Sequence, residues 1–455
     1  MPSSPLFRRL FSHGSLPVAG VLLSMLAGVR PAYGIDTPTG APIRPLAQDY
    51  VIVAEADPKI GPLFNPSIVA LDDGRLVAAY LVSKKYAKLP SEQHIATSDD
   101  GGKTWQLRHT DSIGQSRLFV DGDSIYSLGS GKSLRIIRST DDGETWSAPS
   151  LIATGRWHQS ATNYIHANGN IYLPLEKRIH NDIDAWPVGD FAPVLLRGRS
   201  GTDLTRPENW TFASELAFAD LIPGYRENDP DLDWFGVPFY PSNYPDSQLL
   251  DRSSGVIRSV APMGWLETNV AQITDPNHYW YDPEGKTFHL LMRAHTGGTG
   301  YAALLKVVEQ EDGSMLTELE KVPSGRTQLF LPLPGGQMRF HILYDEETEL
   351  YWLLGSQATD SMTRADRLPA ARFGTPNNER HRMVLHFSKN LVDWCFAGVV
   401  AMTDAPDQTR HYASMAVDGD DLVILSRSGD ERAHSAHNGN LITFHRVKNF
   451  RDLVY

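Results

Sequence analysis

The chain has 455 residues, 41% of them apolar and 21% charged, enough to bury a sizeable core, so a disordered chain is excluded. Its net charge of −12 sets nucleic acid aside as a partner. Cys395 is the only cysteine, so no intrachain disulfide can form and stability has to come from packing. Arg8 and Arg9 lead an apolar run from Leu16 to Val29, and Ala32-Tyr33-Gly34 follows with the small residues of a cleavage site. The run is shorter than the ~20 residues that a membrane span needs, and no later stretch is long enough. These features predict an export signal over 1–34, general secretory or twin-arginine, then a linker over 35–48. The expected product is a secreted or periplasmic monomer with no membrane span.

Past the linker, Tyr50 to Ala54 reads as a strand placed to close a ring beside the last repeat. Ser67 to Leu71, the turn Asp72-Asp73-Gly74 and Leu76 to Val82 then form a hairpin, which leads into Ser98-Asp99-Asp100-Gly101-Gly102-Lys103-Thr104-Trp105. The next unit repeats the pattern. Leu118 to Val120, Asp121-Gly122-Asp123 and Ser124 to Leu128 lead to Ser139-Thr140-Asp141-Asp142-Gly143-Glu144-Thr145-Trp146. Both octets read Ser-x-Asp-x-Gly-x-Thr-Trp. In each, the Asp carboxylate can accept backbone N–H groups across a turn, Gly supplies a positive φ, and Trp anchors the returning strand. Such a match about 40 residues apart is the mark of a repeat architecture. A third unit runs through Thr162 to Leu175 to a decayed octet at Ser200 to Leu204, closed by Trp210. The stretch from Phe212 to Gly264 is rich in Asp, Pro and aromatic residues and has no clear alternation. Tyr279-Trp280-Tyr281, the turn Asp282 to Gly285 and Thr287 to Arg293 restore the hairpin. His341 to Leu354 leads to a last degenerate octet, Ser388 to Trp394, and Ala413 to Arg446 ends the series.

The octets resemble the Asp-box of sialidases and related β-propellers. That resemblance implies an all-β chain with a single β-propeller over 49–455, built from six to seven four-stranded blades. Six units are readable, and room for a seventh makes seven the preferred count. A propeller brings the starts of its inner strands to one face, where polar residues from distant positions converge. Four places qualify. His158 stands in Arg156-Trp157-His158-Gln159, and His180 ends Glu176-Lys177-Arg178-Ile179-His180. Arg293 ends an apolar strand, where a charge needs a partner, and Glu267-Thr268-Asn269 with His278-Tyr279-Trp280 precede it. Arg and Tyr or His together suit a carboxylate-bearing sugar, Arg fixing the acid and Tyr or His moving protons. The turn His434 to Asn440 offers oxygens for a structural calcium ion; no cofactor is otherwise required.

From about Pro62 to Asp452 the chain looks like the sialidase superfamily, within which two branches compete. Sialidases carry Phe/Tyr-Arg-Ile-Pro before the first blade, with an arginine triad for the sialate carboxylate and a Tyr–Glu nucleophile pair. The matching place here reads Phe64-Asn65-Pro66-Ser67, without the arginine. That departure turns the expectation towards the propeller polysaccharide lyases, of ulvan lyase and rhamnose–glucuronate lyase type. Trp157-His158-Gln159-Ser160-Ala161, Glu267-Thr268-Asn269, Tyr344-Asp345 with Tyr351-Trp352, and His437 to His445 with Phe450-Arg451 resemble that branch. The resemblance implies His158, His180, Tyr279 and Arg293 as catalytic residues, with Asn269, His278 and Tyr344 binding substrate. The expected reaction is β-elimination on a uronate-containing acidic polysaccharide. The alternatives are a glycoside hydrolase of sialidase-like or rhamnosidase-like action, and a propeller that binds glycan without cleaving it.

Overall fold

The structure, a computed structural model, describes residues 43–183, 187–221, 248–251, 256–259, 264–294, 300–359, 379–405 and 408–455. The export signal expected over 1–34 lies outside the described residues, as does most of 222–263. One compact unit runs from Arg44 to Tyr455. It begins slightly before the expected boundary, because Leu46 and Ala47 already donate backbone hydrogen bonds to Val399 and Val400. Among the described residues no helix is long and apolar enough to cross a membrane.

Six antiparallel sheets form a six-bladed β-propeller, matching the six units readable in the sequence rather than the preferred seven. Blade 1 is Leu63–Ala70, Leu76–Val82, Glu92–Ser98 and Gln106–Asp111; blade 2 is Gln115–Asp121, Ser124–Ser130, Ser133–Ser139 and Ser150–Thr154. Blade 3 has a split inner strand, Trp157–His158 and Ile165–Ala167, followed by Asn170–Arg178, Phe191–Arg199 and Trp210–Phe212. Blade 4 is Trp265–Ala271, Thr287–Ala294, Tyr301–Glu309 and Met315–Glu318; blade 5 is His341–Asp345, Leu350–Ser356, Arg382–Ser388 and Cys395–Met402. Blade 6 joins Thr409–Asp418, Asp421–Gly429 and Leu441–Val447 to the N-terminal strand Tyr50–Glu55, which closes the ring.

The apolar residues sort into six clusters, each filling one gap between neighbouring blades. Val69, Val77 and Ile95 meet Leu118, Ile125 and Ile137 between blades 1 and 2, and Trp352 and Phe387 meet Met415 and Ile424 between blades 5 and 6. Each leucine-sized side chain buried there contributes about 1.5–3 kcal/mol. A second strand has a blade on either side, so Ser124–Ser130 and Leu350–Ser356 are buried at every position. That is why Leu350 to Leu354 reads as a continuous apolar run and not as alternation.

Inner strands of adjacent blades are tied by side chains. Asn65 donates to Ser116 O (2.8 Å) and accepts from Ala161 N (2.8 Å). Asn163 donates to Val270 O (2.6 Å) and accepts Val270 N (2.8 Å). Asn269, expected to bind substrate, does the same work, accepting Ile342 N (2.9 Å) and donating to Phe340 O (3.2 Å), and is fully buried. Two buried arginines brace the channel itself. Arg117 donates to Asn163 O (2.7 Å) and Pro174 O, and Arg339 donates to Ala413 O (2.8 Å) and Ala161 O.

Candidate active site

The mouth of the channel is the end at which the inner strands begin and the second strands finish. Three inner strands carry the same irregularity there. Register shifts fall between Phe64 and Ser67, Leu266 and Asn269, and His411 and Ser414. One residue in each shifted segment has left-handed backbone: Asn65 (φ 52°), Glu267 (φ 62°) and Tyr412 (φ 48°). A bulge re-aims a side chain, and each non-glycine residue held this way costs roughly 1–3 kcal/mol, strain that tends to collect at functional sites. In Asn65 the re-aimed side chain straps blades together. In Glu267 and Tyr412 it meets an arginine.

Arg293, at the end of the second strand of blade 4, is buried and donates through Nη1 to the Tyr412 hydroxyl (2.8 Å) and to Glu267 Oε2 (3.4 Å). Its Nε is tied to Gln337 O at 2.8 Å, which fixes the plane of the guanidinium. Burial works against its charge, but Tyr412 and Glu267 outweigh burial and hold its pKa above the ordinary value. Three further guanidiniums lie around the Tyr412 ring: Arg380 at 4.7 Å, Arg427 at 5.3 Å and Arg339 at 5.8 Å from its centroid. Arg427 comes from the second strand of blade 6, and its guanidinium lies 4.1 Å from the centroid of Phe64. The arginine absent from Phe64-Asn65-Pro66 thus has a guanidinium beside it from another blade.

His158 completes the mouth. Its Nδ1 is 2.8 Å from Glu176 Oε2, and its ring stacks on Phe191 at 5.3 Å and 14°. Glu176 is itself held, since Oε1 accepts both Thr268 N (2.8 Å) and Thr268 Oγ1 (2.6 Å). Burial lowers the His158 pKa, but the Glu176 hydrogen bond and charge, with Glu267 beyond, prevail, so the imidazolium is favoured. His158 pairs with Glu176 near the end of the second strand of blade 3, and Arg293 pairs with Leu266 at the start of the inner strand of blade 4, so both stand at the mouth.

Of the other expected residues, His180 also stands at the mouth end, just past the second strand of blade 3, where it pairs with Asp220 (2.8 Å). Tyr279 is 87% exposed, on the connection between Ala271 and Thr287, where blade 4 turns at the far end of the channel. The expected strand at Tyr279–Tyr281 is a turn; the inner strand of blade 4 is Trp265–Ala271, one connection earlier. His278, on the same turn, lies 3.1 Å from Asn390 O and accepts Trp280 N (2.9 Å). Tyr344 pairs with Tyr351 at the far end of blade 5 and packs against it at 4.8 Å. The turn offered for calcium faces cations: His437 Nδ1 meets Arg427, and Asn438 Oδ1 meets Lys85. Among the described residues no three His, Cys, Asp or Glu side chains gather as a group that could hold a metal ion, a pattern that does not bear on a site of Asn and backbone oxygens.

Sequence reasoning missed Tyr412, Arg380 and Arg427 and gave Glu176 and Glu267 no role of their own. The search for polar residues at inner-strand starts would have found Arg410-His411-Tyr412, had it been carried to the last blade.

No family model matches the chain, and comparison with curated proteins finds no match. Solved structures share the fold at low identity. The Hadza microbial sialidase Hz136 is 16% identical, with a TM-score of 0.51 over 88% of this chain and 68% of that one. A protein of unknown function from Dyadobacter fermentans is 12% identical, TM-score 0.50, over 88% and 98%. The Penicillium chrysogenum α-L-arabinanase is 13% identical, TM-score 0.48, over 90% and 99%. The chain is therefore a sialidase-like propeller in fold, and the expected likeness to polysaccharide lyases is not among these neighbours.

Proposed function

We propose that the chain is a glycoside hydrolase acting on a carboxylate-bearing sugar, with Tyr412 as nucleophile. One observation carries this reading: the Tyr412 hydroxyl and the Glu267 carboxylate share Nη1 of Arg293, inside a cluster of buried arginines. Arg293 and Arg380 supply planar donors for the sugar carboxylate. The Tyr412 oxygen accepts the Arg293 N–H and keeps its own proton to give up on attack at the anomeric carbon, with Glu267 as the base. An aryl oxygen has an advantage over a carboxylate here, since it meets an anionic sugar without adding a second full charge. His158, kept as the imidazolium by Glu176, donates a proton to the departing oxygen, and as neutral imidazole it then activates water for the second step.

This reading departs from the β-elimination expected first. Elimination retains one favourable observation, the presence of His158 and Arg293 at one mouth, but its expected tyrosine, Tyr279, stands at the other end. Incubation with aryl sialosides, aryl uronides and uronate oligosaccharides, with both reducing ends and ultraviolet absorbance followed, separates the two. Hydrolysis releases new reducing ends with no unsaturated product. Appearance of the C4–C5 double bond would replace this reading with elimination, and no turnover of any carboxylate-bearing sugar would remove both. Arg293→Lys should cut kcat/KM by about 10²-fold while the fold persists, because lysine keeps the charge and loses the two-point grip.

A further inference from the structure

In this acidic chain many cations find acids. Lys84 meets Glu92, Arg178 meets Asp190, Arg197 meets Glu309, and Arg446 meets Asp418 and Asp421. Beside the mouth, two neighbouring cations do not. Arg427 is 4% exposed, and its contacts are the faces of Phe64 and Tyr412 and, through Nη2, Nδ1 of His437 at 3.2 Å. A guanidinium only donates, so Nδ1 accepts and His437 is neutral there. The Arg427 Nε is buried without a partner. Lys85 is exposed, with Nζ 5.4 Å from the Phe64 centroid, 5.1 Å from that of Tyr86 and 3.2 Å from Asn438 Oδ1, again neutral partners. Both cations thus lie against Phe64, and among the described residues neither makes an ion pair with a carboxylate.

Burial draws the Arg427 pKa down to about 9 and the Arg380 charge adds to the effect, with Tyr412 and the Glu267 carboxylate only partly offsetting them. Holding such a charge is costly unless something answers it. Glu267 forms its ion pair with Arg293, at 3.4 Å, and a sugar carboxylate held by Arg293 leaves Arg427 and Lys85 without an ion pair of their own. Tyr86, with His434 packed on it at 5.0 Å, stands beside Lys85, whose Nζ lies 5.1 Å from its ring centroid.

We propose that Lys85, Arg427 and Phe64 form a second oxyanion subsite, so that the preferred glycan carries a sulfate ester or another carboxylate on the sugar next to the one that is cleaved. The proposal rests on the hydrolase reading for the word "cleaved", but the subsite is measurable without turnover. Inorganic sulfate titrated into the protein at constant ionic strength should bind, and Lys85→Gln, on an exposed turn, should weaken that binding about tenfold, as expected for the loss of one charge-assisted contact. Arg427→Lys is the companion variant, and its sulfate affinity should fall as well. With paired oligosaccharides, sulfated and enzymatically desulfated, or with one uronate and two, Lys85→Gln should lower the kcat/KM ratio of the doubly charged over the singly charged member by a similar factor. The pair on which the ratio falls identifies the group. Sulfate affinity unchanged in Lys85→Gln overturns the proposal, because the anion then sits in the catalytic cluster. Weakened sulfate binding with no glycosidase activity leaves the subsite standing and removes the hydrolase reading instead.

Discussion

The Asp-boxes and the channel mouth are both dense polar networks built on strand ends, and they are organised on opposite plans. In the box of blade 2, the hydrogen bonds that shape the turn stay within a few residues, while the Glu144 carboxylate reaches across to Arg75 and Arg108 of blade 1. Asp141 accepts Thr145 N (2.9 Å) and Thr145 Oγ1 (2.6 Å), Ser139 Oγ accepts Gly143 N (2.9 Å), and Trp146 Nε1 donates to Gly143 O (3.1 Å). Blade 1 repeats this around Asp100. At the mouth, Arg293 meets Tyr412 from 119 positions away, and Glu176 holds Thr268 from 92. The boxes close the far ends of the third strands, where Leu76 pairs with Ser98, while the cluster lies where those blades begin. A turn network of short sequence range can be copied from blade to blade. One of long range exists once, only when the ring is closed, and that makes it the place for chemistry.

The sharpest break of this contrast is Tyr412→Phe. The ring stays among Arg339, Arg380 and Arg427, so packing and the cation–π contacts persist and only the oxygen is lost. Turnover should fall by about 10³-fold or more, as for loss of a nucleophile, with the melting temperature held within about 1–2 °C. If Tyr412→Phe turns over normally, the mouth is another structural network and the contrast collapses.

The next effect is smaller and appears as a pH profile. Glu176→Gln keeps the size of the side chain and can still accept from Thr268, but it removes the charge that holds the His158 pKa up. With His158 acting as the acid, activity is lost as pH rises through its pKa, so the alkaline limb should move to lower pH. Turnover above neutrality should drop about tenfold, while activity at the acid end changes far less. An alkaline limb that stays in place would show that His158 moves no proton in the reaction.

The same contrast explains what could be read from the sequence. The repeat, the closing strand at Tyr50–Glu55 and blades 1 to 3 were legible because turn chemistry and strand pattern are local. Blade 4 was misplaced. Its inner strand, Trp265–Ala271, is buried on both faces and bulged at Glu267, so neither alternation nor a turn marks it. The aromatic turn at Tyr279–Tyr281 looked more like a strand, and Tyr279 went with it. The last box shows decay of the local signal without loss of the turn. Leu391 takes the position of the glycine at φ 63°, and Asn390 accepts Val392 N and Asp393 N where an aspartate stands in the others. Arg293 and His158 could be chosen singly, each as a charge at a strand end, but nothing in the sequence shows that Arg427 approaches Phe64. That contact exists because the last blade is joined to the first.

The smallest expected effect belongs to the boxes. Hydrogen bonds from Thr145, side chain first and then backbone, hold the Asp141 pKa down to about 2, against about 3.9 for a free aspartate. A depressed carboxylate contributes stability that is present above the unfolded pKa and is lost as pH falls through the folded one. The box therefore works fully at neutrality and weakens between about pH 4 and pH 2. Asp141 is half-buried at the blade end, where solvent still screens much of this contribution. Asp141→Asn should lower the melting temperature by about 1–2 °C at pH 7 and by less at pH 3, where the wild-type carboxylate is itself being protonated. Turnover should not change, because no residue of that octet reaches the mouth. If Asp141→Asn lost activity at an unchanged melting temperature, the boxes would belong to the chemistry after all, and local repetition could not be used to separate scaffold from site in this propeller.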